Sequence, residues 1–561
     1  MEKKQWYKDA VVYQIWPRSF CDGNGDGIGD LLGVLSKLDY IKSLGVDVIW
    51  FSPLYPSPNE DYGYDIADYR NISPDYGDLD IFKKVLDECH KRGMKVIMDL
   101  VVNHTSRQHE WFLESQKGHD NPYHDYYFWR KGKSDKKPPN NWLSTFDGDA
   151  WEYNENLDEY YLHIFAKGQP DLNHDNPKVR EEVKDIMRFW LDMGVDGFRE
   201  DVITWISKAE GLPNGIPIPV ACGLEHYTHG PHIHEYLLEY KRDVLDNYDC
   251  FVVGEAPMMT PKAALPFIEE GDNQQLDMMF HFQHMEADCF MTDPIPVPFS
   301  LKRMKKAFSR WQYALEGKGW NALYLENHDH PRIISRYGSE AYHDESGKML
   351  AAMYMLQKGT PFVYQGQEIG MTDIRLPELK MYEDVSTYNA HRLYKSVLHF
   401  PEDKIMNIVK KRSRDNARTP VQWSSADNAG FTTAEKPWFY INENYWKINV
   451  EDQEEDPNSL LNFYRKLIKF RKKFQVVRDG IYKEHYAESN KIYCYERVLG
   501  NEKLLVICSF TDKPVEFTSP AGYNLEEGKL MLANYGKNMR KHNTFKTRPY
   551  ELRVYYFGDK A

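Results

Sequence analysis

Carboxylates, histidines and one arginine recur where short apolar runs of this chain end. DLVVNHTS carries Asp99, Asn103 and His104, GFREDVI carries Arg199 and Asp201, VGEAP carries Glu255, and LENHDHPR carries His328 and Asp329. Arg199 and Asp201 are two residues apart, so on a strand they leave the same face, and the guanidinium can hold the carboxylate ionised. An ionised carboxylate facing a second one kept protonated can cleave a glycosidic bond with retention. One attacks the anomeric carbon and the other hands a proton to the leaving oxygen, roughly 5–5.5 Å away. Asp201 suits the first task and Glu255 the second. Asp329 would hydrogen-bond sugar hydroxyls, strain the ring and by its charge help keep Glu255 protonated. His104 and His328 can donate to the same hydroxyls. Any one of these carboxylates alone could equally be a helix cap or a surface charge; the set together, at successive run ends, is not read that way.

Such groups converge only if the runs are strands of one closed sheet. The runs 10–16, 46–53, 95–103, 195–203, 250–257, 276–282, 321–328 and 360–368 are rich in β-branched and aromatic residues. They alternate with segments of helical period, of which Leu31 to Leu44, Phe82 to Arg92, Val179 to Met193 and Ile233 to Tyr248 are the best. Eight strands with helical crossovers predict an α/β fold, a (β/α)8 TIM barrel, whose strand ends face one site. The barrel is expected over 1–103 and 175–479, with an inserted lobe over 104–174 after the third strand. Residues 480–561 read as a C-terminal antiparallel β-domain. The stretch 369–430 reads as irregular, too long for a plain connection, and as a candidate active-site loop.

With 561 residues the chain should divide into more than one compact unit. A formal net charge of −14 disfavours nucleic acid or an anionic membrane surface as partner. Aromatics at 14% exceed what a core usually needs and suit surfaces that stack on sugar faces, although spare tyrosines more often pack than bind. The seven cysteines form no CxxC pair and are odd in number, so neither a disulfide framework nor a cysteine zinc site is indicated. The start, MEKKQWYKDA, lacks an apolar signal core, and no apolar run reaches membrane-spanning length. A soluble, unexported, cytoplasmic protein is expected, acting as a monomer or weak homo-oligomer on a small oligosaccharide.

The four motifs above closely resemble the signature regions of the α-amylase superfamily, glycoside hydrolase family thirteen. VYQIWPRSF, GYDIADYR (63–70), QPDLN (169–173) and ARTPVQW (417–423) narrow the resemblance to its oligo-1,6-glucosidase group. It implies Asp201 as nucleophile, Glu255 as acid/base and Asp329 as transition-state stabiliser, with Arg199, His104 and His328 around the first sugar. It further implies Tyr64 stacking on the terminal glucose, Asp61 and Arg414 gripping its outer hydroxyls, and Phe146, Phe165 and Gln169 at the pocket mouth. A pocket closed by that pair would admit only a chain end. In this group valine after the nucleophile goes with α-1,6 and threonine with α-1,4 substrates; here Val202 stands there, also an ordinary strand residue. DGNGDGIGD resembles the family's calcium loop, with Asp22, Asn24, Asp26, Ile28 and Asp30 as ligands; Ca2+ is expected to be structural, Mg2+ could fill the same place, and no organic cofactor is implied. The rival is a glycine-rich turn of solvated acids.

Three positions depart from the group's usual pattern. Glu200, on the face opposite Asp201, needs a buried partner; Ala256 could widen the leaving-sugar subsite; Tyr62 stands beside Asp61 where asparagine is frequent. Alternatives within the resemblance are a sucrose isomerase or transglucosidase and a trehalose-6-phosphate hydrolase. FHFQHMEADC (280–289) lacks the arginine-rich segment of sucrose isomerases, which favours hydrolysis. A non-catalytic transporter-subunit relative would have lost the carboxylates that this chain keeps.

Overall fold

The computed structural model describes residues 5–133, 136–146, 148–219, 221–290, 295–536 and 542–559. Its centre is a sheet of eight strands: β1 Val12–Ile15, β2 Val48–Phe51, β3 Lys95–Leu100, β4 Gly197–Glu200, β5 Phe251–Glu255, β6 Met278–Phe280, β7 Ala322–Leu323 and β8 Thr360–Tyr364. All pair in parallel in the order β7, β8, β1, β2, β3, β4, β5, β6, and β6 lies beside β7 without a hydrogen-bonded ladder. The strands are buried on both faces, which is why they read as continuous apolar runs rather than alternating ones. The ladder Val12↔Val48↔Lys95 on one side and Asp99↔Arg199 on the other fixes which strand ends are level with one another.

The crossover helices follow their sequence signals. Asp78 caps Leu79–Lys91 by accepting from the Ile81 N–H, and Pro177–Met193 begins at an Asn176 cap with Pro at its first position and ends at left-handed Gly194. Two expected helices are shorter than their period suggested. The run Leu31 to Leu44 divides at Lys37 (φ −107°, ψ 5°), whose N–H bonds three residues back to Val34 and tightens the turn. The run Ile233 to Tyr248 is α-helical only to Asp243, because Val244 (φ −129°, ψ −66°) leaves the helical region.

After β3 the chain builds a three-stranded antiparallel sheet from Trp129–Arg130, Glu159–Leu162 and Trp151–Asn154. Bridges His104↔Asp171 and Tyr127↔Leu172 close its base. Its aromatic core, including Phe128, Trp142, Trp151 and Tyr160, also takes in Val202, Trp205, Leu212 and Tyr227 from the segment after β4. The stretch after β8 is not irregular: it holds the helices Val385–Ser396 and Glu402–Arg412 over a small core of Leu376, Tyr382, Tyr394, Ile405, Ile408 and Val409. The first of these helices, VSTYNAHRLYKS, is too polar to show a helical apolar stripe. The C-terminal part forms a five-stranded antiparallel sheet (Ile481–His485, Ile492–Leu499, Glu502–Ser509, Leu552–Phe557, Lys529–Ala533) and a second pair, Glu516–Thr518 with Thr544–Lys546. It is pinned to the barrel helices by Tyr495 on the Met353 carbonyl (2.9 Å) and Lys305 on the Tyr486 carbonyl (2.6 Å). All seven cysteines are buried and stand outside any disulfide. Among the described residues no helix is long and apolar enough to cross a membrane.

Candidate active site

The ends of β3, β4 and β5 meet around one guanidinium. Arg199, buried to 1% exposure, binds Asp99 Oδ1, Asp201 Oδ1 and Glu255 Oε2, each at 2.6 Å. The expected Arg199–Asp201 pair is thus one arm of a three-carboxylate clasp. Close approach of β4 to β5 requires glycine at 197, where φ is +148° and a Cβ would meet the Phe251 carbonyl oxygen at 1.9 Å. Immediately after Asp201 the backbone turns left-handed at Val202 (φ 34°, ψ 37°), costly for a β-branched residue by roughly 1–3 kcal/mol. That turn points the Val202 N–H at Glu255 Oε2, 3.1 Å away.

Three acids around one cation cannot all ionise easily in a buried site. Burial pushes the Glu255 carboxyl up to about 8; Arg199 pulls against this, while Asp201 and Asp329 add to it. Asp201 is also pushed up by burial, to about 6, with Arg199 holding it down and a hydrogen bond from Glu255 helping. Asp99 rises to about 6 for the same leading reason. Near neutral pH the arrangement therefore favours an anionic Asp201 beside a protonated Glu255.

The opposite wall is built on Asp329, in the segment that follows β7. Burial pushes its carboxyl up, but His328, Arg414 and Arg418 override this and hold it well below the usual range. Arg414 and Arg418 each reach Asp329 Oδ1 at 3.1 Å. Arg414 also binds Asp61 Oδ1 (2.9 Å) and Asp384 Oδ1 (2.6 Å), so one side chain ties the loop after β2 to the helical hairpin after β8. His328 stacks between Tyr64 (5.1 Å, 7°) and Trp16 (5.2 Å, 17°). Gln14 Nε2 lies 2.8 Å from His328 Nδ1 and Asp329 Oδ2 lies 3.0 Å from Nε2. With Gln14 donating, the ring presents Nε2–H to Asp329 as a neutral imidazole, consistent with burial lowering it to about 4. Gln169 Nε2 joins Asp61 Oδ2 (3.3 Å), the Tyr64 carbonyl (3.3 Å) and His104 Nε2 (3.2 Å).

Of these groups Glu255, Asp329, Asp384 and Arg414 line a cavity of ~380 Å³, with Phe146, Phe165, Val202 and Trp205 also in its walls; Asp201, Arg199, Asp61, Tyr64, His104, His328 and Gln169 lie behind that lining. Arg414 lies over the Phe146 ring at 5.5 Å, and Phe165 stacks on Trp205 at 5.7 Å. Ala256 does not reach this cavity. It is fully buried just past the end of β5, its N–H bonded to the Phe280 carbonyl; Pro257 and Met258 form the wall there. Tyr62 bonds Glu383 Oε2 at 3.0 Å, beside the Arg414 anchor. Among the described residues no cation pairs with Glu200: its Oε2 is buried without a hydrogen bond, and burial, with Asp277 nearby, pushes the carboxyl up to about 8. Both influences favour its neutral form.

Sequence reading missed Asp384, Arg418, Trp205, Gln14 and Trp16. Gln14, Trp16 and Arg418 sit inside motifs already quoted, but nothing local marks Asp384 in its polar helix start. It also missed Lys208, fully buried and bonded to Asp171 Oδ2 and Asn103 Oδ1, each at 2.8 Å, which locks the lobe to the segment after β4.

The loop 22–30 folds its acids over its own backbone. Asp22 accepts from Gly25 N–H (2.6 Å) and Gly27 N–H (2.8 Å), Asp26 from Ile28 N–H (2.8 Å), and Asp30 from Gly33 N–H (2.6 Å) and Asn24 N–H (3.0 Å). Burial pushes Asp30 up against these donors, with Asp22 adding to the rise. Among the described residues no lysine or arginine pairs with Asp22, Asp26 or Asp30. Oxygen-only donors carrying uncancelled negative charge suit a hard divalent cation.

A parallel α/β barrel that gathers three carboxyls around one arginine at its strand ends, beside an aromatic-walled cavity, is an architecture suited to glycoside hydrolysis. Residues 14–480 match the family model of the α-amylase catalytic domain, and the chain belongs to that family. It is 49% identical over 561 residues to an oligo-1,6-glucosidase of Parageobacillus thermoglucosidasius, covering 99% of each chain. Among solved structures it resembles a trehalose-6-phosphate hydrolase of Bacillus licheniformis (TM-score 0.94, 42% identity, 99% of this chain and 100% of that one). It equally resembles an isomaltulose synthase of Klebsiella sp. LX3 (TM-score 0.95, 41% identity, 99% of each).

Proposed function

We propose that the protein is an exo-acting retaining α-glucosidase that releases terminal α-1,6-linked glucose from short oligosaccharides such as isomaltose and panose. Asp201 attacks the anomeric carbon while Glu255 gives its proton to the departing sugar oxygen. Glu255, now anionic, then takes a proton from water as that water displaces Asp201, and both carboxyls return to their starting states. Arg199 keeps Asp201 ionised through the first step and stabilises Glu255 after it has lost its proton. Asp329, held anionic by Arg414 and Arg418, hydrogen-bonds the ring hydroxyls. Tyr64 supplies the stacking face, while His328 orients Asp329, and His104 and Gln169 hold the Tyr64 backbone and Asp61 around the same sugar.

One observation supports the exo reading: Arg414 is bonded at once to Asp61, Asp329 and Asp384, a cross-tie suited to seal the sugar end of the pocket. A sealed end leaves no path for a polymer to continue beyond the first ring. The α-1,6 preference rests on Val202, which offers the cavity no hydroxyl with which to hold a 1,4-linked partner. Phosphorylated substrate is disfavoured, because the cations lining the cavity, Arg412 and Arg414, are already committed to Asp288 and to the three acids above. The loop 22–30 is read as holding one structural Ca2+, or Mg2+, through Asp22, Asn24, Asp26, the Ile28 carbonyl and Asp30. Seven buried cysteines outside any disulfide fit a cytoplasmic enzyme, monomeric or weakly associating.

Product analysis on isomaltose, panose, maltose, sucrose and trehalose-6-phosphate tests this reading. Glucose from isomaltose and panose, with little from maltose, is expected. Isomaltulose from sucrose would instead make the protein an isomerase, and fastest turnover of trehalose-6-phosphate would make it the phosphosugar hydrolase.

A further inference from the structure

Far along the lobe sheet, a second cluster of metal-ligating side chains stands apart from both the pocket and the 22–30 loop. His119 lies in the turn after the short helix Glu110–Ser115, His124 opens a single helical turn, and Glu159 begins the strand Glu159–Leu162. One donor atom from each lies within 4.8 Å of the other two, and among the described residues no other group of three or more His, Cys, Asp or Glu side chains converges so closely. We propose that His119, His124 and Glu159 bind one transition-metal cation of the zinc class.

Three features beyond proximity point to a ligand. Glu159 is buried, and its Oε2 has no hydrogen-bond partner. Its other oxygen lies 3.8 Å from His119 Nε2, too long for a hydrogen bond. A buried carboxylate left so poorly satisfied is costly, and a cation would answer it. His124 uses Nδ1 on the Ser115 carbonyl (3.0 Å), which fixes the tautomer and leaves the Nε2 lone pair for a metal; this is how metal-binding imidazoles are commonly oriented. His119 contributes from the solvent side, its ring centroid 4.4 Å from that of His124. With metal bonds of about 2.1 Å, tetrahedral donors stand about 3.4 Å apart. The exposed His119 ring can close that gap by rotation, leaving the fourth position to water.

Two imidazoles and one carboxylate select a borderline ion over calcium, so this site and the oxygen-only loop can be distinguished by metal. An ion here would join the 119–124 turn to the strand that leads to Phe165 and Gln169 at the pocket mouth. Cysteine spacing carried no sign of it, because no cysteine takes part.

The full-length protein, stripped of metal and kept in excess Ca2+, should be titrated with Co2+ by visible absorption and with Zn2+ against a chromophoric chelator. One saturable site per chain is expected, lost in Glu159→Gln and His124→Ala. His119→Ala should bind Zn2+ about ten-fold or more weakly while its metal-free thermal midpoint stays unchanged, since that side chain is 62% exposed. Absence of a ligand-field band in the wild type, or wild-type zinc affinity in His119→Ala, would overturn the proposal.

Discussion

Replacing Asp384 by asparagine isolates the contact on which the sealed pocket depends. Its Oδ1 accepts from Arg414 Nε at 2.9 Å and Nη2 at 2.6 Å, while the same guanidinium reaches Asp61 and Asp329. The side chain also caps the helix Val385–Ser396 through the Ser386 N–H at 3.0 Å and accepts from Thr387 Oγ1 at 2.9 Å. Asparagine caps as well as aspartate, so Asp384→Asn removes the charge and spares the helix. Hydrogen bonds to a charged partner contribute about 1.5–3 kcal/mol, against about 0.5–1.5 for neutral pairs. Losing the charged acceptor should therefore loosen Arg414 by about 1–2 kcal/mol, which at about 1.4 kcal/mol per decade lowers kcat/KM about 5- to 30-fold. Most of this should fall on KM, because Arg414 is placed to bind the outer end of the sugar in ground state and transition state alike. Asp384→Ala additionally loses the cap, about 1 kcal/mol, and should lower the thermal midpoint where asparagine does not. Steady-state glucose release from isomaltose, paired with thermal melts, reads both quantities. A kcat/KM for Asp384→Asn within about two-fold of wild type would refute the reasoning, showing that Asp61 and Asp329 alone suffice to place the arginine.

Three further outcomes follow from the same geometry. With Asp201 pushed up to about 6 and Glu255 to about 8, kcat/KM should form a bell: it falls as pH drops through about 6, when the nucleophile is protonated, and as pH rises through about 8, when the acid loses its proton; a flat profile across both limbs would remove these assignments. Val202→Thr keeps a β-branched residue at the left-handed turn but adds a hydroxyl, so the ratio of maltose to isomaltose kcat/KM should rise by about 2- to 10-fold, and an unchanged ratio would detach linkage preference from this position. Adding Ca2+ to chelated protein should raise the thermal midpoint, by about 2.7 kcal/mol of stability at a hundred times Kd, and Asp26→Ala should abolish the response; a wild type indifferent to Ca2+ and Mg2+ would reduce the loop to a glycine-rich turn.

The parts of this molecule that could be read from sequence are those set by local pattern. The eight strands announced themselves because parallel strands buried on both faces must be apolar throughout, and Asp201, Glu255 and Asp329 stood out as charges where such runs end. What escaped was set by contacts between distant segments. Asp384 is an ordinary helix cap until the fold brings it to Arg414. Trp205 resembles any strand-end aromatic until it packs into the lobe core. The break at Lys37 and the early helix end at Asp243 depend on single backbone turns that leave no compositional trace. Glu200 shows the opposite limit: alternation correctly turned it away from Asp201, yet the inference that a buried charge needs a partner overlooked the simpler outcome, a carboxyl whose neutral form is favoured.

The central claim is that Asp201 becomes covalently bonded to glucose during turnover. A slow substrate such as 5-fluoro-α-glucosyl fluoride should accumulate that intermediate, which intact-protein mass spectrometry would detect as one added fluoroglucosyl unit and peptide mapping would locate. The label is expected on Asp201 in the wild type and absent in Asp201→Asn. A label on any other carboxylate, or an unlabelled enzyme that still turns the compound over, would contradict it.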